Sequence, residues 1–317
     1  MIHYLYLGRV DYGEALRLQN ELVAMRQADR IGNVLLLLEH PPVLTLGRNA
    51  SRSNILASDE LLTARGVTLY EINRGGDVTY HGPGQLIGYP IFDLRSLRNT
   101  KGNRLGPVDF VRQMEEALIH LCADFGVRAG RICGLTGVWC GLSSGSANES
   151  PLLDSPQSSP EGLPCAAPAG RGRKIAAIGI HVARGVTSHG FAFNFTTDLR
   201  DFTLINPCGI TDRPVTSLQM ELAGEVGMEA GEQLPQPVTL PSLESLAHKA
   251  AHHFGLVFDE PIEFVEDLTA LRALASANSD LPSPVSFAPE FPANDAPLEI
   301  PPEIERLRHK KDRPVSA

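Results

Sequence analysis

Two residues carry reactive groups in settings that differ from their surroundings. Cys208 sits in "INPCGI", between a proline and a glycine and not within an apolar run, so it belongs to a turn. Lys174 opens the apolar stretch "KIAAIGIHV" in a chain whose other lysines are Lys101, Lys249, Lys310 and Lys311. A cysteine thiol has an ordinary pKa of about 8.5, so it becomes a strong nucleophile at neutral pH only beside a cation or a general base. Lys174 could serve as that cation, or, desolvated enough to lose its proton, as that base. Spacing alone leaves both versions open, along with two structural readings: a strand-end lysine keeping its ammonium in water, and a cysteine that fills a turn.

A third stretch, "NRGGDVTYHGPGQLIGYPI" from Asn73, crowds Arg74, Asp77, Thr79, Tyr80, His81 and Gln85 among glycines at 75, 76, 82, 84 and 88. Glycines there let the backbone approach a ligand closely; a tight turn with solvated polar residues explains them as well. It is no phosphate loop, since GxxxxGK[ST] is absent and no clear helix follows. In "SHGFAFNF", Gly190 and Ala192 share one face of an extended segment, which leaves room for an acyl chain or for close strand packing. His81 and His181, each taken alone, read as hydrogen-bonded packing residues before they read as catalysts.

Bulk properties narrow the class. The net charge of −9 over 317 residues disfavours a nucleic-acid binder. The N-terminus lacks a basic, apolar leader and no stretch reaches the roughly 18 apolar residues of a membrane span, so a cytoplasmic protein is expected. The five cysteines, Cys122, Cys133, Cys140, Cys165 and Cys208, include no CxxC pair and no zinc spacing, which argues against a disulfide framework and a structural metal.

The elements that must position these residues follow from periodicity. Helical spacing is predicted over 13–29, 107–125 and 242–255; Pro107 opens the second and Gly126 closes it. Strands are predicted at "NVLLLLEH", "PPVLTLGR", "VTLYEIN", "LIGYPIF" and "GLTGVWCGL", with a hairpin of long strands around "ARGVTS". Intermixed elements without regular alternation give an α+β class with mixed or antiparallel sheets. Residues 143–173, rich in Ser, Pro, Gly and Ala, read as a disordered insertion in a domain spanning 1–273, and 274–317 as a Pro-rich flexible tail.

Together, "LLEHPPVLTLGRNAS", "RGGDVTYHGPGQLIGYPI", "GRKIAAIGIHV", "SHGFAFN" and "INPCGI" resemble, in order, the lipoyl(octanoyl) transferase family. The resemblance implies the mixed-sheet fold of biotin and lipoate protein ligases. It also implies a catalytic dyad of Cys208 and Lys174, and substrate contacts at Arg74, Gly75, Gly76, Asp77, Val78, Thr79, Tyr80 and His81, at Ala177, Ile178 and Gly179, and at Gly190, Phe191 and Ala192. The implied reaction carries an octanoyl group from octanoyl-acyl carrier protein to the acceptor lysine of lipoyl domains, those of 2-oxoacid dehydrogenase E2 subunits and glycine cleavage H protein, without ATP, metal or other cofactor. Because acyl carrier proteins are acidic, a local arginine-rich docking face is expected, drawn from Arg48, Arg52 or Arg74. The insertion before Lys174 departs from the family's short connection. An ATP-dependent ligase and a noncatalytic acyl-carrier binding protein are the rival readings.

Overall fold

The runs of apolar residues form strands because each is buried on both faces. In β2 (Asn33–Glu39), Leu35 and Leu37 point into one core, whereas Val34, Leu36 and Leu38 point into another. The computed structural model describes residues 1–98, 102–142, 172–206, 213–224 and 240–277. Its main sheet has eight strands: β1 (Ile2–Arg9), β2, β6 (Gln85–Ile91), β7 (Ala129–Ile132), β8 (Leu135–Cys140), β9 (Arg173–Ala183), β10 (Val186–Asn194) and β11 (Ile262–Phe264). Their spatial order is β11-β1-β2-β6-β10-β9-β8-β7. Only the β11–β1 and β1–β2 pairs are parallel, so the sheet is mixed and the fold is α+β, as the sequence reading expects.

Helices cover both faces. On one, α3 (Pro107–Ala123) and α5 (Leu243–Phe258) bury Phe110, Met114, Leu118, Leu246, Phe254 and Phe258 with Phe92 and Phe191. On the other, α1 (Tyr12–Gln27) and α6 (Leu268–Ala277) bury Leu18, Leu22, Leu271 and Ala275. Asp11 caps α1 by accepting from the backbone N–H of Gly13 and Glu14, and Ser242 caps α5 through the N–H of Ser245. The short helices α2 (Asp59–Ala64) and α4 (Leu218–Leu222) were not legible as periodic segments.

A second sheet, β4 (Thr68–Glu71), β3 (Val43–Leu46) and β5 (Val78–His81), stands apart in the order β4-β3-β5. Leu44, Leu46, Val78 and Tyr80 pack against Phe202, Leu204 and Ile205, so the alternate residues Thr45, Thr79 and His81 face the opposite way. The glycine-rich stretch from Asn73, read from sequence as a turn between two strands, therefore divides: β5 joins the small sheet and β6 the large one.

One buried ionic network fastens α3 to the hairpin of β7 and β8. Glu115, fully buried, accepts from Arg112 at 2.7 Å, from Arg131 Nε at 3.0 Å and, at its other oxygen, from the backbone N–H of Gly137 at 2.9 Å. Arg131 also reaches Glu116 and the carbonyl of Arg112.

Strand β9 opens at Arg173, so the last residue of the expected insertion is in a strand, and residues 274–277, expected to begin the flexible tail, instead complete α6; residues 143–171, Cys165 among them, and 278–317 lie outside the described residues. The described residues belong to one unit, Met1–Ser279. The second unit, Asp280–Ala317, lies outside them. Cys133 is disulfide-bonded, where no disulfide framework was expected. Removing Glu115 takes one acceptor from each of Arg112 and Arg131 and leaves the buried Gly137 N–H without its carboxylate. Glu115→Ala should lower unfolding free energy by about 3–5 kcal/mol in urea titration, and Glu115→Gln by less.

Candidate active site

The two sheets and the hairpin of β7 and β8 enclose a cavity of about 360 Å³. Its apolar walls are Val111, Leu135, Ala177, Ile178, Ile180, Phe191 and Ala192, and its polar wall is Tyr12, Arg74, Thr79, His81, Tyr89 and His189, with Lys174, Thr136 and the glycines at 75, 76, 134, 179 and 190 completing the lining. Volume and mixed lining fall at the lower end of the range for small-ligand sites, about 300–1,000 Å³.

Lys174 is half-buried at the start of β9. Its N–H donates to the carbonyl of Pro214 at 2.9 Å, and its own carbonyl accepts from the N–H of Thr216 at 2.9 Å. The strand that carries the lysine is thereby tied to the segment that resumes just after Cys208. Cys208 itself lies outside the described residues. The ammonium of Lys174 stands 4.7 Å from the ring centre of Trp139, its cross-strand partner on β8. Lys174 also borders a recess of about 20 Å³ shared with Thr79, Gln85, Ala192 and Asn194.

Arg74 is 8 % exposed and turned inward. It donates to the Thr45 carbonyl at 2.7 Å, to the Thr45 hydroxyl at 3.0 Å and to the Gly75 carbonyl at 2.9 Å. It cannot belong to a docking face, which corrects the expectation for this residue: its guanidinium hydrogen-bonds inward, to the small sheet and to its own turn. The turn itself docks on β9 through the Gly75 N–H and the Ile180 carbonyl, 3.0 Å apart, and Gly76 takes φ +88°, a region that favours glycine. Arg48 remains exposed, and Arg52 is exposed and pairs with Asp59.

Of the positions implied by resemblance, Arg74, Gly75, Gly76, Thr79, His81, Ala177, Ile178, Gly179, Gly190, Phe191 and Ala192 line the cavity. Asp77, Val78 and Tyr80 do not. Asp77 accepts from the N–H of Ser51 and Val78 and from the Asn54 amide; Val78 is fully buried in the small sheet's core; Tyr80 donates to Asp201 at 2.7 Å. Period-two alternation along β5 explains this division. Gly190 is small because of packing: a Cβ there would meet the Gly88 carbonyl oxygen at 2.1 Å.

Sequence reasoning missed Tyr12, Tyr89, Thr136, Trp139 and His189. Tyr12 lies on the buried face of α1, and Trp139 is the chain's one tryptophan, but neither signal pointed to a cavity. His189 has φ +56°, donates its backbone N–H to buried Gln19 and bonds Asn73 through Nε2 at 2.7 Å.

Around Arg74, the polar wall is a buried cluster of histidines and tyrosines held neutral. His40 Nδ1 donates to the Val10 carbonyl at 2.7 Å and its Nε2 accepts from the Tyr89 hydroxyl at 2.7 Å; His81 bonds Gln85 at 2.9 Å. Burial pulls His40 down to about 4, His81 to about 3, with the neighbouring His40 adding to the effect, and His189 to about 3, with Arg74 adding. The same burial raises the phenols of Tyr12 and Tyr89. Burial also raises Cys122, and it pushes Cys140 up to about 12, so neither thiol ionises at neutral pH. Among the described residues, no cluster of three or more His, Cys, Asp or Glu side chains could hold a metal, and no helix is long and apolar enough to cross a membrane.

These three imidazoles have folded pKa values below the ordinary value of about 6.5, so the unfolded chain binds more protons as pH falls. Their contribution is complete above pH 6.5 and is lost progressively toward pH 3–4. Unfolding free energy should drop by about 3 kcal/mol between pH 6 and pH 5, and His81→Gln should remove about one third of that slope.

Residues 11–234 match the model of the lipoyl protein ligase A/B catalytic domain. An octanoyltransferase of Acidobacterium capsulatum is 51% identical over 267 residues, covering 84% of this chain and 94% of the relative. One from Koribacter versatilis is 44% identical over 98% of each chain. Among solved structures, a chain of an archaeal lipoylation system from Thermoplasma acidophilum, a bipartite lipoate protein ligase and its E2 lipoyl domain, aligns with TM-score 0.53 and 15% identity over 87% of this chain and 91% of that one. Lipoate-protein ligase A bound with ATP aligns with TM-score 0.50 and 15% identity over 87% and 94%. Those two likenesses concern the fold alone. Sequence, however, carries the assignment further, and this chain belongs to the lipoyl protein ligase A/B catalytic domain family.

Proposed function

We propose that the protein transfers an octanoyl group from octanoyl-acyl carrier protein to the acceptor lysine of lipoyl domains, through an acyl-thioester on Cys208 and without ATP. The observation that carries this reading is the position of Lys174: its side chain borders the cavity and its backbone is bonded to Pro214 and Thr216, the segment that follows Cys208 in sequence. The octanoyltransferases at 51% and 44% identity support the acyl group and the reaction class. Burial of Cys122 and Cys140, with their thiols held protonated, supports the choice of cysteine.

The chemistry needs one proton shared between sulfur and nitrogen. In the first half, the Cys208 sulfur bonds to the thioester carbon, the carbon–sulfur bond to the carrier breaks, and the carrier leaves as a thiol with that proton. One thioester replaces another, so the step is nearly balanced. In the second half, the acceptor amine attacks the acyl-enzyme, the enzyme's carbon–sulfur bond breaks, and the amine's proton returns to the Cys208–Lys174 pair. Formation of the amide drives the sequence forward. Apolar walls from β9 and β10 suit the acyl chain, each buried methylene contributing about 0.8 kcal/mol, which makes chain length readable. Backbone N–H groups along Ala177–Gly179 or in the Arg74–Gly76 turn are the candidates for stabilising the tetrahedral oxyanion.

Acceptors of this kind are lipoyl domains of 2-oxoacid dehydrogenase E2 subunits and glycine cleavage H protein, and the compartment consistent with them is the cytoplasm. With Arg74 turned inward, the exposed Arg48, whose charge adds to burial in lowering the pKa of His181, is the candidate cation for docking an acidic carrier.

Intact-mass analysis of reduced protein mixed with octanoyl-carrier should reveal one added octanoyl group, absent in Cys208→Ser, whose ATP-free transfer to a lipoyl domain should vanish. Use of free octanoate only with ATP would instead identify a ligase. Arg48→Glu should raise KM for the carrier-bound donor about fivefold, roughly 1 kcal/mol, with kcat little changed.

A further inference from the structure

Trp139 is 1 % exposed, and its Nε1 has no hydrogen-bond partner among the described residues. Burying an indole N–H unpaired is unfavourable, and phenylalanine would fill the position without that penalty. What tryptophan supplies over phenylalanine is the stronger π face. Two cations lie over that ring: Lys174 Nζ is 4.7 Å from its centre, and the Arg213 guanidinium, past the Cys208 segment in sequence, is 5.9 Å from it.

The pairing is built. A register shift in the β8–β9 ladder takes Val138 opposite Ala176 and then Trp139 opposite Lys174, one residue further than regular alternation would give. Such a bulge re-aims side chains and recurs beside active sites. Gly137, at φ +123°, supports it: a Cβ there would meet the Ala176 carbonyl oxygen at 2.6 Å and Lys174 Cε at 3.4 Å. Glu115 holds the Gly137 N–H from below.

We propose that Trp139 is a positioning residue whose ring keeps Lys174 as an ammonium in the resting site, so that the proton shared by the dyad starts on nitrogen and Cys208 starts as a thiolate. This rests on the Cys208–Lys174 reading and decides which of its two versions operates. A π face attracts the ammonium and not the neutral amine, so it opposes loss of the lysine proton. The ammonium then donates that proton to the departing carrier sulfur as its bond to the acyl carbon breaks. The amine so formed accepts a proton from the attacking acceptor amine, which restores the ammonium and the thiolate.

The test is the pH dependence of iodoacetamide alkylation at Cys208 in reduced protein, mapped by peptide mass, since the thiolate is the form that reacts. Lys174→Met should raise the midpoint by about one unit or more. Trp139→Leu should raise it by about half a unit to one unit, and Trp139→Phe by less in the same direction. Lys174→Arg should keep the wild-type midpoint yet lose acyl transfer, because a guanidinium retains the charge and cannot give up its proton. A wild-type midpoint in both tryptophan variants, with Lys174→Met still shifted, would reduce Trp139 to a packing role and overturn the proposal while the dyad survives. An unshifted midpoint in Lys174→Met would remove the dyad itself. Should Trp139→Leu fail to fold, Trp139→Phe and Lys174→Arg decide: a Lys174→Arg midpoint that follows Lys174→Met overturns the proposal.

Discussion

The proposed mechanism keeps a positive charge at the wall of a largely apolar cavity. An ammonium removed from water needs compensation of several kcal/mol, and a lysine that meets no compensation gives up its proton instead. The fold answers at Lys174 with geometry. A strand start keeps the side chain half-exposed, the backbone is bonded on its free edge to Pro214 and Thr216, and an indole face lies under the charge. Much of the neighbouring structure serves these three conditions. The bulge in β9, the left-handed Gly137 and buried Glu115 all fix where Trp139 stands relative to the lysine.

The other side of the cavity shows the converse arrangement. His40, His81 and His189 are buried with their imidazoles held neutral, beside Tyr12 and Tyr89, whose phenols are held protonated. Arg74 carries a charge there, satisfied by carbonyls and a hydroxyl of Thr45 and Gly75. Apart from Arg74, this wall offers neutral donors and acceptors, which suit the proposed thioester donor, uncharged at its reacting end. In the proposed mechanism it also keeps competing bases away from the proton that Cys208 and Lys174 would exchange.

The two sheets divide the work. The eight-stranded sheet, packed by helices on both faces, supplies the rigid strands β9 and β10, whose consecutive residues form one long wall. The three-stranded sheet turns one face to its own small core and offers Thr45, Thr79 and His81 on the other. Mounting the second wall on a separate sheet lets the glycine-rich turn at Arg74–Gly76 close over β9, through the bond between Gly75 and Ile180, without disturbing the main ladder.

Read alone, the amino-acid sequence determined the α+β class, the long helices, most strands of the main sheet and the family, because apolar periodicity and ordered motifs are local properties of a chain. It also singled out Lys174, and eleven of the fourteen substrate positions implied by resemblance line the cavity. It could not separate Thr79 and His81 from Val78 and Tyr80, since a four-residue strand without an apolar–polar contrast does not announce which face is inside. Nor could it show that Arg74 turns inward, that Gly190 yields to a carbonyl oxygen, or that Gln19 on α1 reaches the backbone of His189. Those facts depend on elements far apart in sequence. The meeting of Lys174 with Trp139 is the clearest case: thirty-five positions separate them, and a one-residue slip in the ladder, invisible in composition or spacing, decides that the ammonium finds an aromatic face.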